Sequence, residues 1–505
     1  MWDFFVEGMN LALRWDTFAI MSVGLMLGMF VGALPGFTTV MAMAILLPLS
    51  FFVEPLIGIP FLLGVYKGGI YGGSIPAILV SMPGTGASVA TTFDGPALTK
   101  KRQARKALEI ALFSSVFGDL SSDIVTILFI GPIALIALMM GPPELAAVLV
   151  LALIVIAATS SGVFVKGLLM LVTGLLFSLI GQDPIGALSR FTFDVFAIRA
   201  GVPLLPMLIG VYALPEILTA IEKRAAGVIR QRISSKEGGK LTFEEFRGCF
   251  RTICRSTVIG TSIGMIPGVG QVAAAFMGYA AAKNASDTPE EFGKGKLEGV
   301  AAAEAANNAV NGPTMVPLLT LGIPGDNITA ILIGAFIAQG LSPGPTLIPE
   351  NPEIIYSLFM SMFIATCIMF AAAMATVKIW VKVLKIPQRI LYPIVVVLSV
   401  AGSYAINSSM FDVGTMFMFG FMGYVMRKMD FPIPPVMLAF VLTPMLEPHL
   451  RQALLISKGS VMIFITHPIS AAFLILTVGV VLQVVIREMV QRRKEKGKGE
   501  SPAFP

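Results

Sequence analysis

Four Pro-Gly pairs interrupt apolar runs of this 505-residue chain: Pro35-Gly36, Pro83-Gly84, Pro267-Gly268 and Pro324-Gly325. Proline lacks a backbone N–H and glycine has no side chain to restrict its backbone, so each pair is expected to break a helix. A helix that restarts after a break turns its free N–H groups and the positive end of its dipole towards that break. This arrangement favours the binding of an anion.

Small polar residues follow each break and would add hydrogen-bond donors around such an anion. The predicted substrate-binding residues are Gly36, Thr38, Thr39, Gly84, Thr85, Ser88, Gly268, Gly270, Gln271, Gly325, Asn327 and Thr329. Helix capping is the alternative, because Ser, Thr and Asn cap helices routinely. The occurrence of the breaks in pairs in two parts of the chain favours a binding site.

Lys67 is the best candidate for a cation within the apolar part of the first half. It follows an apolar segment and precedes Gly68-Gly69, and we include it among the predicted substrate-binding residues. The alternative is a lysine that snorkels to the membrane surface.

Oxygen-bearing side chains in the second half suggest a site for a coupling cation, since interrupted helices also expose the oxygen ligands that sodium needs. Asn307 and Asn308 lie in a stretch of small apolar residues, and Asp326 lies inside a break. Asp94 ends the equivalent region of the first half. These four residues form the predicted sodium site. Hydrogen bonding between helices is the alternative for the asparagines.

The elements that must position these residues are membrane helices. The chain is 56% hydrophobic and 13% charged, with a mean hydropathy of +0.84, whereas soluble domains are about 25% charged. Several nearly uncharged stretches reach the ~20 residues that span a bilayer, and they lack the alternation of a β-barrel. The sequence therefore predicts an all-α polytopic membrane protein. The stretches are 17–53, 125–141, 145–165, 354–377, 390–411 and 459–486.

An internal duplication is indicated by three pairs of matching segments that occur in the same order in the two halves of the chain. Pro35 matches Pro267, Pro83 matches Pro324, and the segment 206–215 matches 435–444 with the same proline spacing. Lys and Arg follow the second break of the first half, whereas the matching loop of the second half holds acids and no base. Because cytoplasmic loops collect Lys and Arg, matching loops fall on opposite sides of the membrane. We therefore predict two inverted-topology repeats with broken or re-entrant helices.

The predicted organisation has four parts. They are a first transmembrane repeat at 1–220, a cytoplasmic linker at 221–250, a second repeat with a terminal helix at 251–486, and a basic cytoplasmic tail at 487–505. The linker includes a capping-box pattern from Thr242 to Glu245. We interpret the tail as a topology anchor at anionic lipid and not as a nucleic-acid arm. Arg451 and Lys458 do not fit this topology, which places them outside.

With these residues in view, the chain resembles the large membrane subunit of the tripartite tricarboxylate transporter (TctA) family. The resemblance covers nearly the whole chain and is strongest over 24–110 and 258–348. The matching stretches are 32–48, 66–84, 91–95, 264–279, 292–300, 304–308 and 321–345.

The resemblance implies a multi-pass secondary transporter of the bacterial inner membrane that imports small di- or tricarboxylates. The expected partners are a small membrane subunit (TctB-like) and a periplasmic solute-binding protein (TctC-like). Uptake is driven by an ion gradient, with sodium as the expected coupling ion, and the resemblance suggests an elevator-like motion. The sequence agrees that ATP is not used, because it has no phosphate-binding Gly-x-x-x-x-Gly-Lys-Ser/Thr loop. We expect no cofactor and no nucleic acid, and a homodimer is one option for the assembly.

Two alternative functions stay open at this point. A channel or an exporter of organic anions would also use broken helices. An intramembrane enzyme would need a nucleophile with a base, but His449 and His467 lie far from the breaks in sequence. The sequence names neither the carboxylate nor the choice between sodium and protons.

Overall fold

The computed structural model describes residues 2–34, 36–160, 164–183, 185–186, 188–225, 239–383 and 388–497. These residues are predominantly helical, with one short antiparallel strand pair. The helical class predicted from composition is confirmed.

Six of the described helices have a segment long and apolar enough to cross a membrane. This supports the predicted multi-pass organisation, because a span of ~20 apolar residues matches the hydrocarbon thickness. The six segments are Trp15–Gly32, Ala104–Leu138, Pro142–Thr159, Pro352–Thr376, Ile433–Ile456 and Pro468–Val490.

The first half of the chain contains nine α-helices among its described residues. They are α1 (Trp2–Ala12), α2 (Trp15–Gly32), α3 (Thr39–Leu46), α4 (Pro55–Val80), α5 (Gly95–Lys100), α6 (Ala104–Leu138), α7 (Pro142–Thr159), α8 (Phe164–Ser178) and α9 (Leu204–Ala225). Short 3-10 helices cover Leu47–Phe52, Ala87–Phe93 and Phe196–Ile198, and β1 (Gly181–Gln182) pairs with β2 (Ser189–Arg190).

The second half begins with a helix that leads to the third break. Its described helices are α10 (Phe243–Gly264), α11 (Gly270–Asn284), α12 (Leu297–Asn308), α13 (Met315–Leu321), α14 (Asn327–Ala338), α15 (Leu347–Glu350), α16 (Pro352–Val383), α17 (Gln388–Asn407), α18 (Met410–Lys428), α19 (Ile433–Ile456), α20 (Ile463–Thr466) and α21 (Pro468–Gly497). A 3-10 helix covers Pro289–Glu291.

Each of the four predicted breaks separates two helical segments. The first lies between α2 and α3, the second after α4, the third between α10 and α11, and the fourth between α13 and α14. Pro35 itself lies outside the described residues. A fifth interruption, the connector 309–314 between α12 and α13, was not predicted. Its sequence signal is Gly312-Pro313, a pair that disfavours helix.

Helices α2 and α4 approach each other closely through glycines spaced four residues apart. A Cβ built on any of these glycines would lie 2.2–2.6 Å from a backbone oxygen of the facing helix. Without glycine the two backbones would have to separate, as at small-residue interfaces of membrane helices in general. The glycines are Gly24, Gly28 and Gly32 on α2 and Gly64, Gly68 and Gly72 on α4.

The chain divides into two compact units that do not follow the two sequence halves. Unit 1 contains 1–138 and 203–425, and unit 2 contains 139–202 and 426–505. Unit 1 therefore joins α9 of the first half to α17 and α18 of the second. Unit 2 joins α19 of the second half to α7 and α8 of the first.

Ion pairs within unit 2 hold the strand-pair loop to α19. Arg451 contacts Asp183 at 2.8 Å and Glu447 at 2.6 Å, and Arg190 contacts Glu447 at 2.8 Å. Backbone N–H groups of Gly186 and Ile185, together with Arg451, hold the pKa of Asp183 well below its usual range.

The ends of the predicted linker and tail are helical. The Thr242–Glu245 capping box is present at the start of α10, with Glu245 N–H donating to Thr242 Oγ1 at 3.3 Å. Helix α21 continues to Gly497, so the tail begins as helix. Residues 226–238 of the linker and 498–505 of the tail lie outside the described residues.

Candidate substrate and ion site

Residues 66–73 of α4, called the central segment below, contact both breaks of the first half. A Cβ on Gly69 would lie 2.5 Å from Thr39 Cγ2, and one on Gly73 would lie 2.6 Å from Thr85 Cγ2. The N–H of Gly84 donates to the Gly73 carbonyl at 3.1 Å. The two breaks therefore pack one helical turn apart on the same helix.

The two breaks of the second half contact each other. The N–H of Gly268 donates to the Gly325 carbonyl at 3.0 Å. Gly268 and Gly270 have φ of 78° and 66°, a left-handed conformation that glycine adopts without steric cost. A Cβ on Gly325 would lie 2.7 Å from Thr314 of the connector.

Tyr66 joins the second pair of breaks to the central segment. Its hydroxyl donates to Asp326 Oδ2 at 3.1 Å and accepts from Gln271 Nε2 at 2.5 Å. It also lies 3.4 Å from Thr314 Oγ1. All four breaks thus contact one stretch of about two turns of α4, and every residue from 57 to 79 of that helix is buried.

Three of the predicted anion-binding side chains, those of Thr38, Thr85 and Thr329, make cap-type bonds at helix starts, and so does the predicted cation ligand Asp326. Thr38 accepts from the Met41 N–H, and Thr85 accepts from the Ser88 N–H and bonds its hydroxyl. Asp326 accepts from the Thr329 N–H at 2.7 Å and from its hydroxyl at 2.8 Å. The capping alternative therefore describes these side chains as they are arranged here.

The remaining predicted residues differ in exposure. The Thr39 hydroxyl is buried without a protein hydrogen-bond partner. Gly36 is exposed, with a φ of 84°, and Asn327 is half-buried as the first residue of α14.

Lys67 is fully buried, which contradicts the alternative that it snorkels to a membrane surface. Its ammonium donates to Asp119 Oδ1 at 3.0 Å, Asp123 Oδ2 at 2.6 Å and Thr366 Oγ1 at 2.9 Å. These four residues are called the Lys67 cluster. Since the three ammonium hydrogens are all engaged, Lys67 has none left for a substrate carboxylate in this arrangement.

Hydrogen bonds connect the Lys67 cluster to the fourth break. Asn311 of the connector donates to Asp119 Oδ1 at 3.2 Å, and Gln271 donates to Asn311 Oδ1 at 3.4 Å. Gln271 also bonds Tyr66, which bonds Asp326. A continuous buried chain of polar side chains therefore runs from α6 through the connector to the start of α14.

A second buried cluster lies where α12 faces α6 and the 3-10 helix 87–93. Thr91 donates to Glu304 Oε1, and Ser115 donates to Oε2 at 3.3 Å. Asn308 donates to Ser115 Oγ at 2.9 Å. The side-chain oxygens of Asn307 and Asn308 are buried and have no hydrogen-bond partner. We call these five residues the Glu304 cluster.

Asp94 binds the loop at residues 293–296 through hydrogen bonds. Its Oδ1 accepts from the backbone N–H groups of Gly293, Gly295 and Lys296 at 2.7–2.9 Å, and Oδ2 accepts from Tyr279 at 2.8 Å. Four donors already occupy this carboxylate. Asp94 and Asp326 thus bond to the protein, whereas the predicted Asn307 and Asn308 present unused oxygens beside Glu304.

Five residues of this polar centre were not selected as site residues from the sequence. Glu304 stands in a stretch matched to the family, but no role was assigned to it. Asp119 and Asp123 were given no role, although their spacing of four places them on one helix face. Tyr66 begins the matched stretch 66–84 but was given no role, and Thr366 gave no signal, because a single hydroxyl in an apolar helix is common.

Two cavities lie away from the central segment. The larger, of about 560 Å³ in unit 1, is lined by residues that include Lys101, Glu245 and Lys296. The other, of about 350 Å³ in unit 2, is lined by residues that include Arg451 and Lys458. Neither borders residues 66–73.

The fold and the site together define a multi-pass helical membrane protein whose interrupted helices meet around one buried polar centre. Residues 18–438 match the model of the family described as "Tripartite tricarboxylate transporter TctA family". The chain belongs to this family, which confirms the predicted resemblance. The family is a family of transporters and not of enzymes.

Two relatives come from Agrobacterium vitis. An uncharacterized 52.8 kDa protein in the TAR-I ttuC' 3' region is 38% identical over 474 residues, which is 93% of each chain. An uncharacterized protein in the TAR-II ttuC' 3' region is 40% identical over 236 residues, 47% of this chain and 98% of the relative. No solved structure matches the chain.

Proposed function

We propose that this protein is the large subunit of a tripartite carrier that takes up a small di- or tricarboxylate across the bacterial inner membrane. A small membrane subunit and a periplasmic solute-binding protein would complete the system. Family membership supports this assignment. The observation that carries it is the contact of all four breaks with residues 66–73 of α4.

The proposed carboxylate site uses backbone donors at the restarting helices. Helices α3, α11 and α14 begin at breaks 1, 3 and 4, so their N-terminal N–H groups and dipoles favour negative charge there. In the present arrangement Thr38 and Asp326 occupy such N–H groups. A substrate carboxylate would replace these caps when the site opens, much as a carboxylate at a helix N-terminus does elsewhere.

Burial of the central segment supports an occluded conformation of this carrier. Since residues 57–79 of α4 are all buried, substrate reaches them only after the segments around α4 move. We propose that the break-bearing segments move against the remaining helices in an elevator-like motion, which exposes the site to one side at a time.

The helix order supports two inverted repeats. In the duplication α9 matches α19, and by order α7 and α8 match α17 and α18. Unit 1 places α9 with α17 and α18, and unit 2 places α19 with α7 and α8. The last matched helix of the first repeat, α9, therefore lies in one unit with α17 and α18 of the second repeat. The last matched helix of the second repeat, α19, lies in one unit with α7 and α8 of the first. Two repeats related by a two-fold axis would produce such a reciprocal arrangement.

We propose sodium as a coupling ion, held by the Glu304 cluster. Glu304, Asn307 and Asn308 lie on one face of α12, since they are spaced three and four residues apart. A buried carboxylate and two unused amide oxygens are hard ligands suited to sodium. Coupling is needed because moving a dianion to a negative interior costs about 2.3 kcal/mol per charge for each 100 mV.

The test is uptake into sealed vesicles that contain the chain and both partners. Labelled mono-, di- and tricarboxylates are supplied while sodium and pH gradients are varied separately. We expect uphill accumulation of a di- or tricarboxylate that stops when the sodium gradient is removed. Downhill flux only would indicate a channel, and no flux of any carboxylate would refute the proposed function.

The variant Asn308→Ala tests the ion site in the same vesicles. Loss of an oxygen ligand should raise the half-saturating sodium concentration, and a loss of ~1.4 kcal/mol corresponds to about tenfold. The control is Asn351→Ala, since within the described part of the chain the Asn351 side chain bonds Leu347 of the short helix that it follows. Wild-type sodium dependence in Asn308→Ala would remove Asn308 from the site.

A further inference from the structure

The Lys67 cluster contains one more acid than base. With all three groups ionised, one ammonium and two carboxylates give a net charge of −1. The three side chains are 0–2% exposed. An ionised carboxylate without a compensating charge is unfavourable in such a site, so the cluster favours the uptake of one positive charge.

The hydrogen bonds identify the carboxylate that takes up this charge. Both oxygens of Asp119 are engaged, Oδ1 by Lys67 and Asn311 and Oδ2 by Thr366. Asp123 accepts from Lys67 through Oδ2 only, and its Oδ1 is buried without a hydrogen-bond partner. The unoccupied oxygen of the cluster is therefore Asp123 Oδ1.

The groups that face Asp123 come from four elements. Lys67 lies on α4, Asp119 on α6 itself, and Thr366 on α16 beside the thiol-bearing Cys367. The next buried acid is Glu304 of α12, which accepts a hydrogen bond from Ser115. Ser115 precedes Asp123 on α6 by about two helical turns. On the connector side, a Cβ on Gly312 would lie 2.8 Å from Asp123 Oδ1. Gly312 has no side chain, so the connector passes this oxygen without a side chain against it. A proton needs only one such oxygen, whereas a metal cation needs several oxygen ligands at once.

We propose that Asp123 carries a proton that is transported together with the substrate, in addition to the sodium ion. The proton binds the Asp123 carboxylate at Oδ1 to form a carboxylic acid, which makes the cluster neutral, and it leaves from the same oxygen on the other side of the membrane. This inference rests on the proposed transport function, because it assigns a second coupling ion to that carrier.

The connector links this proton to the substrate site. Asn311, one residue from Gly312, bonds both Asp119 and Gln271, and Gln271 bonds Tyr66 beside Asp326. A change of charge at Asp123 acts on Lys67 and Asp119 and, through these hydrogen bonds, on the third and fourth breaks. Protonation thus favours the closed, neutral arrangement of the four breaks around α4.

The experiment uses vesicles with the complete tripartite system, a pH-sensitive dye inside and a fixed sodium gradient. Labelled citrate and succinate serve as tricarboxylate and dicarboxylate probes. We expect internal acidification in proportion to uptake for wild type and for Asp412→Asn, a buried acid of α18 that bonds Asn407. Asp123→Asn should lose the acidification that accompanies each substrate molecule, and Asp123→Glu should regain it.

A second variant keeps the inference testable if Asp123→Asn does not fold. In Asp119→Asn, Lys67 has Asp123 as its sole carboxylate partner, the cluster is neutral with Asp123 ionised, and acidification should again be lost. Wild-type acidification in either asparagine variant would overturn the inference. If wild type takes up substrate without acidification, the proton inference is overturned and the proposed transport function stands. If wild type takes up no substrate, both are overturned.

Discussion

Replacement of Lys67 by methionine is the most direct perturbation of the buried polar centre. Lys67→Met keeps much of the side-chain length but removes the ammonium that contacts Asp119 and Asp123 at 3.0 and 2.6 Å. Both acidic side chains then lie buried without a cation, and Asp119 keeps an uncompensated charge. Removing one partner of a buried ion pair typically costs about 3–5 kcal/mol, because the other partner stays buried and uncompensated.

This cost is measurable as a change in thermal stability. If 1 kcal/mol shifts the midpoint by ~2 °C, Lys67→Met should unfold about 6–10 °C below wild type. Adding Asp119→Asn to Lys67→Met removes the carboxylate that the lysine no longer compensates and should restore more than half of the loss. The assay is fluorescence-monitored unfolding of the purified protein in detergent near neutral pH.

Lys283→Met is the matched control, because Lys283 is exposed at the end of α11. Its midpoint should stay close to that of wild type. A wild-type midpoint for Lys67→Met would refute the reasoning, since the cluster would then not depend on the lysine charge. A double variant no more stable than Lys67→Met would show that charge balance is not the cause.

Four further predictions follow from the same contacts. Glu304→Gln should weaken sodium activation of uptake by about tenfold or more, equivalent to ~1.4 kcal/mol, and unchanged activation would exclude Glu304 as a ligand. Gly68→Val should destabilise the α2–α4 packing by ~1–3 kcal/mol in detergent unfolding, whereas Gly414→Val, with open space around it, should not. A cysteine at Gly239 should react with an impermeant reagent from the cytoplasmic side only, and periplasmic labelling would contradict the topology. Arg451→Ala should increase proteolysis of the 181–202 loop, and wild-type resistance would show that the ion pairs do not hold it.

The breaks could be predicted from the sequence because their cause is local. Proline and glycine act on their own backbone, so Pro83-Gly84, Pro267-Gly268 and Pro324-Gly325 interrupt helices wherever the chain places them. The helical class was equally accessible, since long apolar runs are a property of the sequence itself. Gly312-Pro313 gave the same kind of signal and was overlooked.

The partners of the buried charges could not be predicted, because they are distant in the chain. Lys67 meets Asp119 and Asp123, which are 52 and 56 residues away, and Thr366, which is 299 residues away. No pattern within a helix identifies such partners. A lysine in an apolar helix and two acids on one helix face are individually compatible with caps or surface positions.

The same limit applies to the predicted cation ligands. Four residues were selected as oxygen donors in suitable surroundings, but the sequence does not show which oxygens the protein itself occupies. Asp94 accepts four hydrogen bonds, and Asp326 caps α14 and bonds Tyr66. Asn307 and Asn308 keep free oxygens, and Glu304 supplies the acid. Only the tertiary contacts distinguish the acids whose oxygens the protein occupies from the asparagines whose oxygens are unused.

The central claim is that the four breaks form one carboxylate site around residues 66–73 of α4. The most direct measurement is an experimental structure of the tripartite complex with sodium and a transported carboxylate. We predict substrate density bordered by Thr39, Thr85, Gln271 and Thr329. Substrate density confined to the cavity lined by Lys101, Glu245 and Lys296 would contradict the claim.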